Sequence, residues 1–293
     1  FNPGDMLAYS NSGYALLGYI IEQISGQSYE QFLKTHIFKP LGMHHTCYDR
    51  PLKVIKGRVS GYNQFNTRII NAPYLSTTWP YAAGALASNV DDLHIWNQAL
   101  SDNKLISAGT FAQAKSMYTL NNGEISNCGY GWLISRHAGL DIYEHAGGIN
   151  GFLCHCLRAE QEGLVVTLLT NQGSPVEMPN DINFKILCAV LDKPYEKPEP
   201  INLPAATLAQ YTGQYRMGMS MLNIDIEDGH LVLFGFLARP AKYYPISPNE
   251  FACIGNEFNL AEFKHTNGDI ELIFRLRGMA GDVMKAKKVH EPS

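Results

Sequence analysis

The chain has 293 residues, of which 45% are hydrophobic and 17% charged, and a formal net charge of −4. This is ample apolar material for a packed core, and more length than one average domain uses, so disorder is excluded and two units are expected. No basic excess points to a nucleic-acid surface, and the longest apolar run, "GLVVTLL" at 163–169, falls short of the roughly 18 residues of a membrane-spanning helix and has strand character.

The chain opens on Phe1-Asn2-Pro3-Gly4-Asp5, a turn that reads as the entry to something already under way. It is expected to start inside a domain, with any targeting segment upstream. Tyr9-Ser10-Asn11 then stand directly against an apolar helix predicted from Ser12 to Ser25. Its Leu16, Leu17, Ile20, Ile21 and Ile24 recur at helical spacing, and Gly26 supplies the stop. One Ser or Asn satisfies an N-cap, and Tyr9 contributes nothing to it. The triplet is therefore either a cap behind a half-buried tyrosine or a pair of polar groups offered to a cleft.

Ser28-Tyr29-Glu30-Gln31 has the capping-box pattern and starts a second helix, predicted to run to about Phe38 before Pro40 and Gly42 end it. Residues 47–80 read as irregular. "GALASNVDDLHIWNQAL" predicts a third helix, capped by Ser88 or Asn89, with Leu93, Trp96 and Leu100 inward. From Gly129 the pattern turns to β. "YGWLIS", "LDIYEHAGG", "GFLCHCLRA" and "GLVVTLLTN" form a predicted antiparallel meander, closed by a helix over about 181–191. The order predicts an α+β domain with helices packed on an antiparallel sheet.

"DKPYEKPEPINLP" reads as a linker, giving boundaries of 1–192, 193–203 and 204–290. The last segment holds short strands, "LAQYTGQYR" among them and "DIELIFRLRG" as the last, with hairpin turns at Asp228-Gly229 and Asn267-Gly268. It predicts a small all-β barrel or sandwich. The six cysteines are dispersed and read as buried thiols. Cys154-His155-Cys156 could offer only its two sulfurs on one strand face, so no metal is expected there.

His145-Ala146-Gly147-Gly148 holds more glycine than a hairpin needs. Taken alone it is either a tight turn at 148–151 or a strand that something approaches closely. Together with the N-terminal triplet it becomes specific. "PGDMLAYSNSGYALLGYIIEQISGQSYEQFLKTHIFKPLGM" resembles the segment around the Tyr-x-Asn motif of the serine β-lactamase and penicillin-binding-protein-like family, which includes class C β-lactamases, D-alanyl-D-alanine peptidases and esterases. "AAGALASNVDDLHIWNQAL", "HAGGINGF" and "VVTLLTNQ" resemble its next helix, its Lys-Thr-Gly or His-x-Gly strand and the strand that follows. The resemblance covers residues 1 to about 192, and the C-terminal part is similar to the lipocalin-like barrel often appended to such enzymes.

The resemblance implies a serine hydrolase acting on an amide, lactam or ester through an acyl-enzyme. Tyr9 would move protons, although a phenol with a pKa of ~10 is a poor base unless nearby cations lower it. Asn11 would bind the substrate carbonyl, and His145 would hydrogen-bond substrate or Tyr9. Ala146, Gly147 and Gly148 would line the substrate and oxyanion subsite, with the Gly148 N–H as a donor. His145 in place of lysine weakens the case for a dedicated β-lactamase and leaves peptidase, amidase or esterase open.

The family's Ser-x-x-Lys is expected upstream of Phe1. The one such string, Ser101-Asp102-Asn103-Lys104, follows Tyr9 in a polar turn and reads as chance. Without that upstream segment, the Leu16/Ile20/Ile24 face and one sheet edge are expected to lack partners. No cofactor is implied; the partner is a small-molecule or peptide substrate, and the family's usual compartment is periplasmic or extracellular. Two other readings compete: a non-catalytic binding or scaffold protein on the same fold, and a barrel that binds small hydrophobic ligands. Retention of Tyr9, Asn11, His145 and Gly147-Gly148 together favours the enzyme.

Overall fold

A serine hydroxyl before a helix can satisfy one of the backbone donors that the first turn leaves open. In the computed structural model Ser10 does this for helix α1 (Asn11–Ser25), its Oγ accepting from the Gly13 N–H at 3.1 Å, and Gly26 ends the helix at φ 67°. The structure describes residues 1–293 apart from 66–67, 138, 176, 196, 219, 236–239, 267, 276–282 and 290–293. The chain divides into two units, Phe1–Lys193 and Pro194–Ser293.

Helix α2 (Tyr29–Leu33) starts at Ser28, whose Oγ accepts from Gln31 N–H at 3.2 Å. Its capping box is only half made. The Gln31 amide reaches Thr35 instead, and the Tyr29 N–H donates to Glu22 Oε1 at 2.7 Å. The helix also outruns its expected end. A π turn, Lys34–Phe38, leads into a last α turn, Lys39–Leu41, which includes Pro40, and Gly42 stops the chain at φ 74°.

Helix α3 (Val90–Ser101) is capped by Asn89. Its buried face is more polar than expected: Asp92, Asn97, Ala99 and Leu100 are buried, while Leu93 and Trp96 are half-buried. Asp92 explains part of this, accepting from His45 N–H at 2.8 Å and Thr46 Oγ1 at 2.7 Å and so fastening the irregular segment to the helix. A short helix, α4 (Ala108–Ala114), follows where none was expected.

The sheet of the first unit has four antiparallel strands: β1 (Leu133–His137), β2 (Leu140–Ile149), β3 (Phe152–Ala159) and β4 (Leu164–Thr170), adjacent in that order. Helix α5 (Pro179–Val190) packs on one face. Pairing between β1 and β2 starts at Leu133↔Glu144, so the second half of β2 has β3 on one side and, among the described residues, no strand on the other. The tight turn lies at Asn150-Gly151, beyond the Ile149↔Phe152 pair, which leaves Gly147 and Gly148 inside the strand. Gly147 faces Cys154 across the ladder, and a Cβ on it would stand 2.6 Å from Cys154 Sγ.

Helix α1 meets the 81–83 turn through Gly18, where a Cβ would come within 2.3 Å of the Ala82 Cβ. Its aliphatic stripe stays open: Leu16 is 57% and Ile24 83% exposed. Strand β4, apolar along its length, is the outer strand on its side of the sheet.

The second unit starts with a short helix, α6 (Ala205–Ala209), where a strand was expected. The proline-rich stretch belongs to this unit; Ile201 N–H donates to Pro245 O at 2.9 Å and Tyr244 OH to Pro198 O at 3.1 Å. Strands β5 (Gly213–Met217), β6 (Ser220–Glu227), β7 (His230–Phe234), β8 (Ala241–Pro245), β9 (Glu250–Cys253), β10 (Asn256–Thr266), β11 (Asp269–Arg275) and β12 (Val283–Lys288) form a closed antiparallel barrel, β12 returning to β5. The Asp228-Gly229 turn has φ 50° and 76°, as a two-residue hairpin requires. Of the other expected turn, Asn267 lies outside the described residues, as do the last three residues of "DIELIFRLRG", 276–278.

Tyr215, Leu222, Ile224, Phe251, Phe263 and Leu272 fill the barrel, and Leu208 and Tyr211 complete the same core. Tyr211 stacks on Phe263 at 4.2 Å, and Tyr215 OH donates to Tyr211 O at 2.9 Å. Among the described residues this interior is a packed core of aromatic and aliphatic side chains.

Two tests follow from these packings. Residues 194–293 expressed alone are expected to melt in one sharp transition, whereas residues 1–193 melt broadly and bind a hydrophobic dye. Phe263→Ala in the barrel should cost about 3–5 kcal/mol in denaturant titrations. In the sheet, Gly147→Ala should destabilise the first unit by about 1–3 kcal/mol, and Cys154→Ala in the same chain should recover part of the loss. A loss left intact by Cys154→Ala would show that the glycine answers to something other than this cross-strand contact.

Candidate active site

Strand parity decides what β2 presents. In an antiparallel ladder successive residues send their N–H and C=O groups alternately to the two neighbouring strands. Counting from the Ile149↔Phe152 pair at the tight turn, Ile149, Gly147 and His145 bond towards β3, while Ala146 and Gly148 direct their backbone groups to the other side. On that side β1 has already ended. The Ala146–Gly148 backbone is thus an open edge.

Side-chain parity sorts the same residues onto two faces. His145 and Gly147 share a face with Cys154, Cys156 and Arg158, and α3 covers it: Asn97 Nδ2 lies 3.5 Å from Cys156 Sγ, and Arg158 Nη1 donates to Asn97 Oδ1 at 2.7 Å. Tyr9 reaches this face, its ring centroid 6.3 Å from that of His145. Tyr9 is held from both sides. Behind it, the 2–5 turn is tied down by Asn121, whose Nδ2 donates to Pro3 O at 3.1 Å and Asp5 Oδ1 at 3.0 Å. These contacts, Asn121 first, hold the Asp5 carboxyl below its usual range. Ahead of it, α1 starts at Asn11, and Tyr9 OH donates to Asn11 Oδ1 at 3.2 Å. Ser10 between them is spent on the cap.

The chemistry of the three groups follows from these bonds. With its oxygen engaged by Tyr9, Asn11 keeps its Nδ2 donors for a carbonyl. His145 Nδ1 lies 2.6 Å from Ala146 O; a carbonyl can only accept, so Nδ1 carries the proton and Nε2 is the nitrogen left to the cleft in neutral imidazole. Gly148 offers an in-plane N–H at the open edge, with no Cβ to shield it. Tyr9 and Asn11 are exposed and His145 is half-buried, so the arrangement is open to solvent.

Three buried polar residues, Glu144, Asn183 and Arg158, were not singled out in the sequence. On the face under α5, Ser135 Oγ donates to Glu144 Oε1 at 2.9 Å, and His155 Nε2 stands 3.3 Å from Glu144 Oε2. Asn183 Nδ2 donates to His155 Nδ1 at 3.0 Å, so the His155 proton sits on Nε2, towards the carboxylate. On the α3 face the buried Arg158 also binds Glu160 and Ser101, its Nη2 donating to Ser101 Oγ at 2.8 Å. Ser101 Oγ in turn donates to Asn97 O at 3.3 Å, and Lys104 pairs with Asp102 at 2.9 Å. Both ends of the lone Ser-x-x-Lys string are therefore committed to structural bonds. Burial pushes the Cys154 thiol up, with the Gly147 N–H pulling the other way, which leaves it a poor nucleophile. Among the described residues no helix is long and apolar enough to cross a membrane.

Comparison with known proteins bears on the same residues. The model of the Beta-lactamase family matches residues 1–191. Penicillin-binding protein 4* of Bacillus subtilis strain 168 is 30% identical over 234 residues, 73% of this chain and 52% of that protein. A D-aminopeptidase of Gluconobacter oxydans is 24% identical over 211 residues, 72% of this chain and 39% of that protein. The chain thus spans about half or less of the length of these curated relatives. The structure of an octameric penicillin-binding protein homologue from Pyrococcus abyssi superposes with a TM-score of 0.62 at 25% identity, covering 98% of this chain and 66% of that one. D-amino acid amidase from Ochrobactrum anthropi shares the fold at 22% identity, with a TM-score of 0.55 over 64% of this chain and 58% of its own. With a family model spanning the helices, the four-stranded sheet and the open half of β2, the chain belongs to the Beta-lactamase family.

Proposed function

We propose that the first unit carries the proton-transfer and oxyanion side of an acyl-transfer site, and that the parent protein is a serine hydrolase of amides, lactams or esters. The observation that supports this most is the meeting of Tyr9 and His145 at 6.3 Å beside the open Ala146–Gly148 edge. In this reading Asn11 Nδ2 holds the substrate carbonyl, and the Gly148 N–H stabilises the tetrahedral oxyanion, a contribution of roughly 2.7–4 kcal/mol per donor. Ala146 and Gly148 form the strand edge along which substrate lies, and Gly147 lines the subsite between them as the bare link bonded to β3. A serine Oγ attacks the carbonyl carbon; its proton passes through Tyr9 to the leaving group, and water then clears the acyl-enzyme.

The nucleophile is assigned to a Ser-x-x-Lys segment outside residues 1–293. The open stripe of α1 and the outer edge of β4 are surfaces on which such a segment could pack. For the substrate, the relatives named as D-aminopeptidase and D-amino acid amidase favour small D-amino acid amides or peptides. A half-buried histidine stands where a lysine would offer a fixed cation to a substrate carboxylate, which favours an amide or ester over a carboxylate-bearing lactam. One observation favours a second reading, a non-catalytic binding module: Ser10 and Ser101, the serines nearest to qualifying, are both bound up in structure.

Residues 1–293 alone should form no covalent adduct with a fluorescent penicillin and should not hydrolyse a p-nitrophenyl ester above background. Labelling of Ser101 or any other residue would overturn the assignment of the nucleophile. In a longer polypeptide that supplies Ser-x-x-Lys, ester hydrolysis should appear, and Tyr9→Phe should lower kcat by on the order of 10²–10⁴. If that longer protein folds but stays inert, the binding-module reading stands instead.

A further inference from the structure

Residues 50–58, Arg-Pro-Leu-Lys-Val-Ile-Lys-Gly-Arg, carry four cations and no acid in a chain whose net charge is −4. Two tight turns shape the segment: Lys53 N–H donates to Arg50 O at 3.1 Å, and Arg58 N–H to Ile55 O at 3.3 Å. Its two arms are fastened. Arg50 pairs with Glu30; Arg58 pairs with Asp49 at 3.0 Å and lies over the Tyr74 ring at 5.5 Å. The arginines are thereby matched by carboxylates. The tip differs: Lys53 keeps only an outer contact with Glu30 at 3.6 Å, and Lys56 is exposed. On either side of Lys53 the apolar residues point into solvent, Leu52 100% and Val54 96% exposed, while Ile55 behind them is half-buried. The neighbouring 76–80 loop, whose Thr78 lines one cavity with Pro51 and Leu52, carries Trp79 at 83% exposure.

A single exposed leucine needs no explanation. Two aliphatic side chains on one anchored, lysine-flanked tip, with a tryptophan on the adjoining loop, form a pattern with a defined complement. We propose that this tip docks on an anionic lipid surface, Leu52, Val54 and Trp79 entering the headgroup region while Lys53 and Lys56 meet the negative charge. The charge favours lipid over a protein face. Exposed lysines stand beside the apolar pair, and a fluid anionic interface meets both at once, where a folded partner would have to match a fully exposed Leu52 and Val54 with a pocket of its own. Tryptophan and lysine both place an apolar body below and a polar end in water, which suits that depth. Because the arms are held by ion pairs, docking would order few additional residues.

The test is co-sedimentation of residues 1–293 with vesicles of pure phosphatidylcholine and of phosphatidylcholine with about 30% phosphatidylglycerol, at low salt and at about 0.5 M salt. Binding is expected to the anionic vesicles, to fall with salt, and to shift tryptophan emission to the blue; Trp79→Phe should remove most of that shift. Lys53→Glu with Lys56→Glu, and separately Leu52→Glu with Val54→Glu, should each weaken binding at least about tenfold. These side chains are exposed, so the far-ultraviolet circular dichroism of each variant should match the wild type, and a folding defect would be visible there. No binding, equal binding to both vesicle types, or wild-type binding by either double variant would overturn the proposal. So would an oligomer that Leu52→Glu with Val54→Glu dissolves, since the tip would then serve a second copy of the chain.

Discussion

The first unit depends on a mismatch in strand length. β2 runs five residues beyond the last residue that β1 pairs with, so one strand is interior for half its length and an edge for the other half. An exposed edge is normally a liability, because its unpaired N–H and C=O groups invite another strand. Here the liability is brief and walled in. Ala146 and Gly148 alone turn their backbone groups to the open side, Tyr9 stands by the adjoining His145, and the 60–73 segment secures the hairpin tip through Asn150 Nδ2, which donates to Pro73 O at 3.1 Å. A shift of one residue in the β2–β3 register would exchange the two parities and turn the Gly148 N–H inward.

What holds that register is polar as much as apolar. Glu144, His155 and Asn183 join β2, β3 and α5 on one face, and Arg158, Asn97 and Ser101 join β3 to α3 on the other. Buried groups of this kind contribute little net stability against well-packed apolar ones, but a misaligned strand would leave them unpartnered, at a cost of about 1–3 kcal/mol for each hydrogen-bonding group. They act as alignment pins beneath the open edge. Cys154 adds a steric one, since its sulfur fills the space that a side chain on Gly147 would need.

This division explains what the sequence made legible. Caps and turns are local, so Ser10, Gly26, Asn89 and Asp228-Gly229 could be read from a few neighbours, and the alternation of the four strands from a window of ten. The open edge could not, because it depends on where β1 stops relative to β2. Arg158 and Glu144 look like ordinary polar positions in their strands; only the packing of α3 and α5 shows that they are buried. Helix α6 was misread for a related reason. "LAQYT" has an aromatic residue and turn signals that suit a strand, and tertiary contact decides otherwise, with Leu208 and Tyr211 closing the barrel core. The triplet at residues 9–11 stayed open on its own, a cap or a pair of groups offered to a cleft; the structure shows Ser10 as the cap and Tyr9 bonded to Asn11 beside His145.

The His145 tautomer carries the argument furthest into chemistry. By donating Nδ1–H to Ala146 O, the ring occupies one of the two carbonyls that the open edge could show to an extended substrate. Gly148 is then the one position of that edge with both backbone groups uncommitted. Strand addition along this edge is thereby limited to a single residue, too short a ladder to hold a further strand. The same bond fixes which ring nitrogen is spent on the strand: Nδ1 is turned to Ala146 O, and Nε2 is left as the acceptor of the neutral ring, while the Tyr9 hydroxyl close by is itself taken up by Asn11.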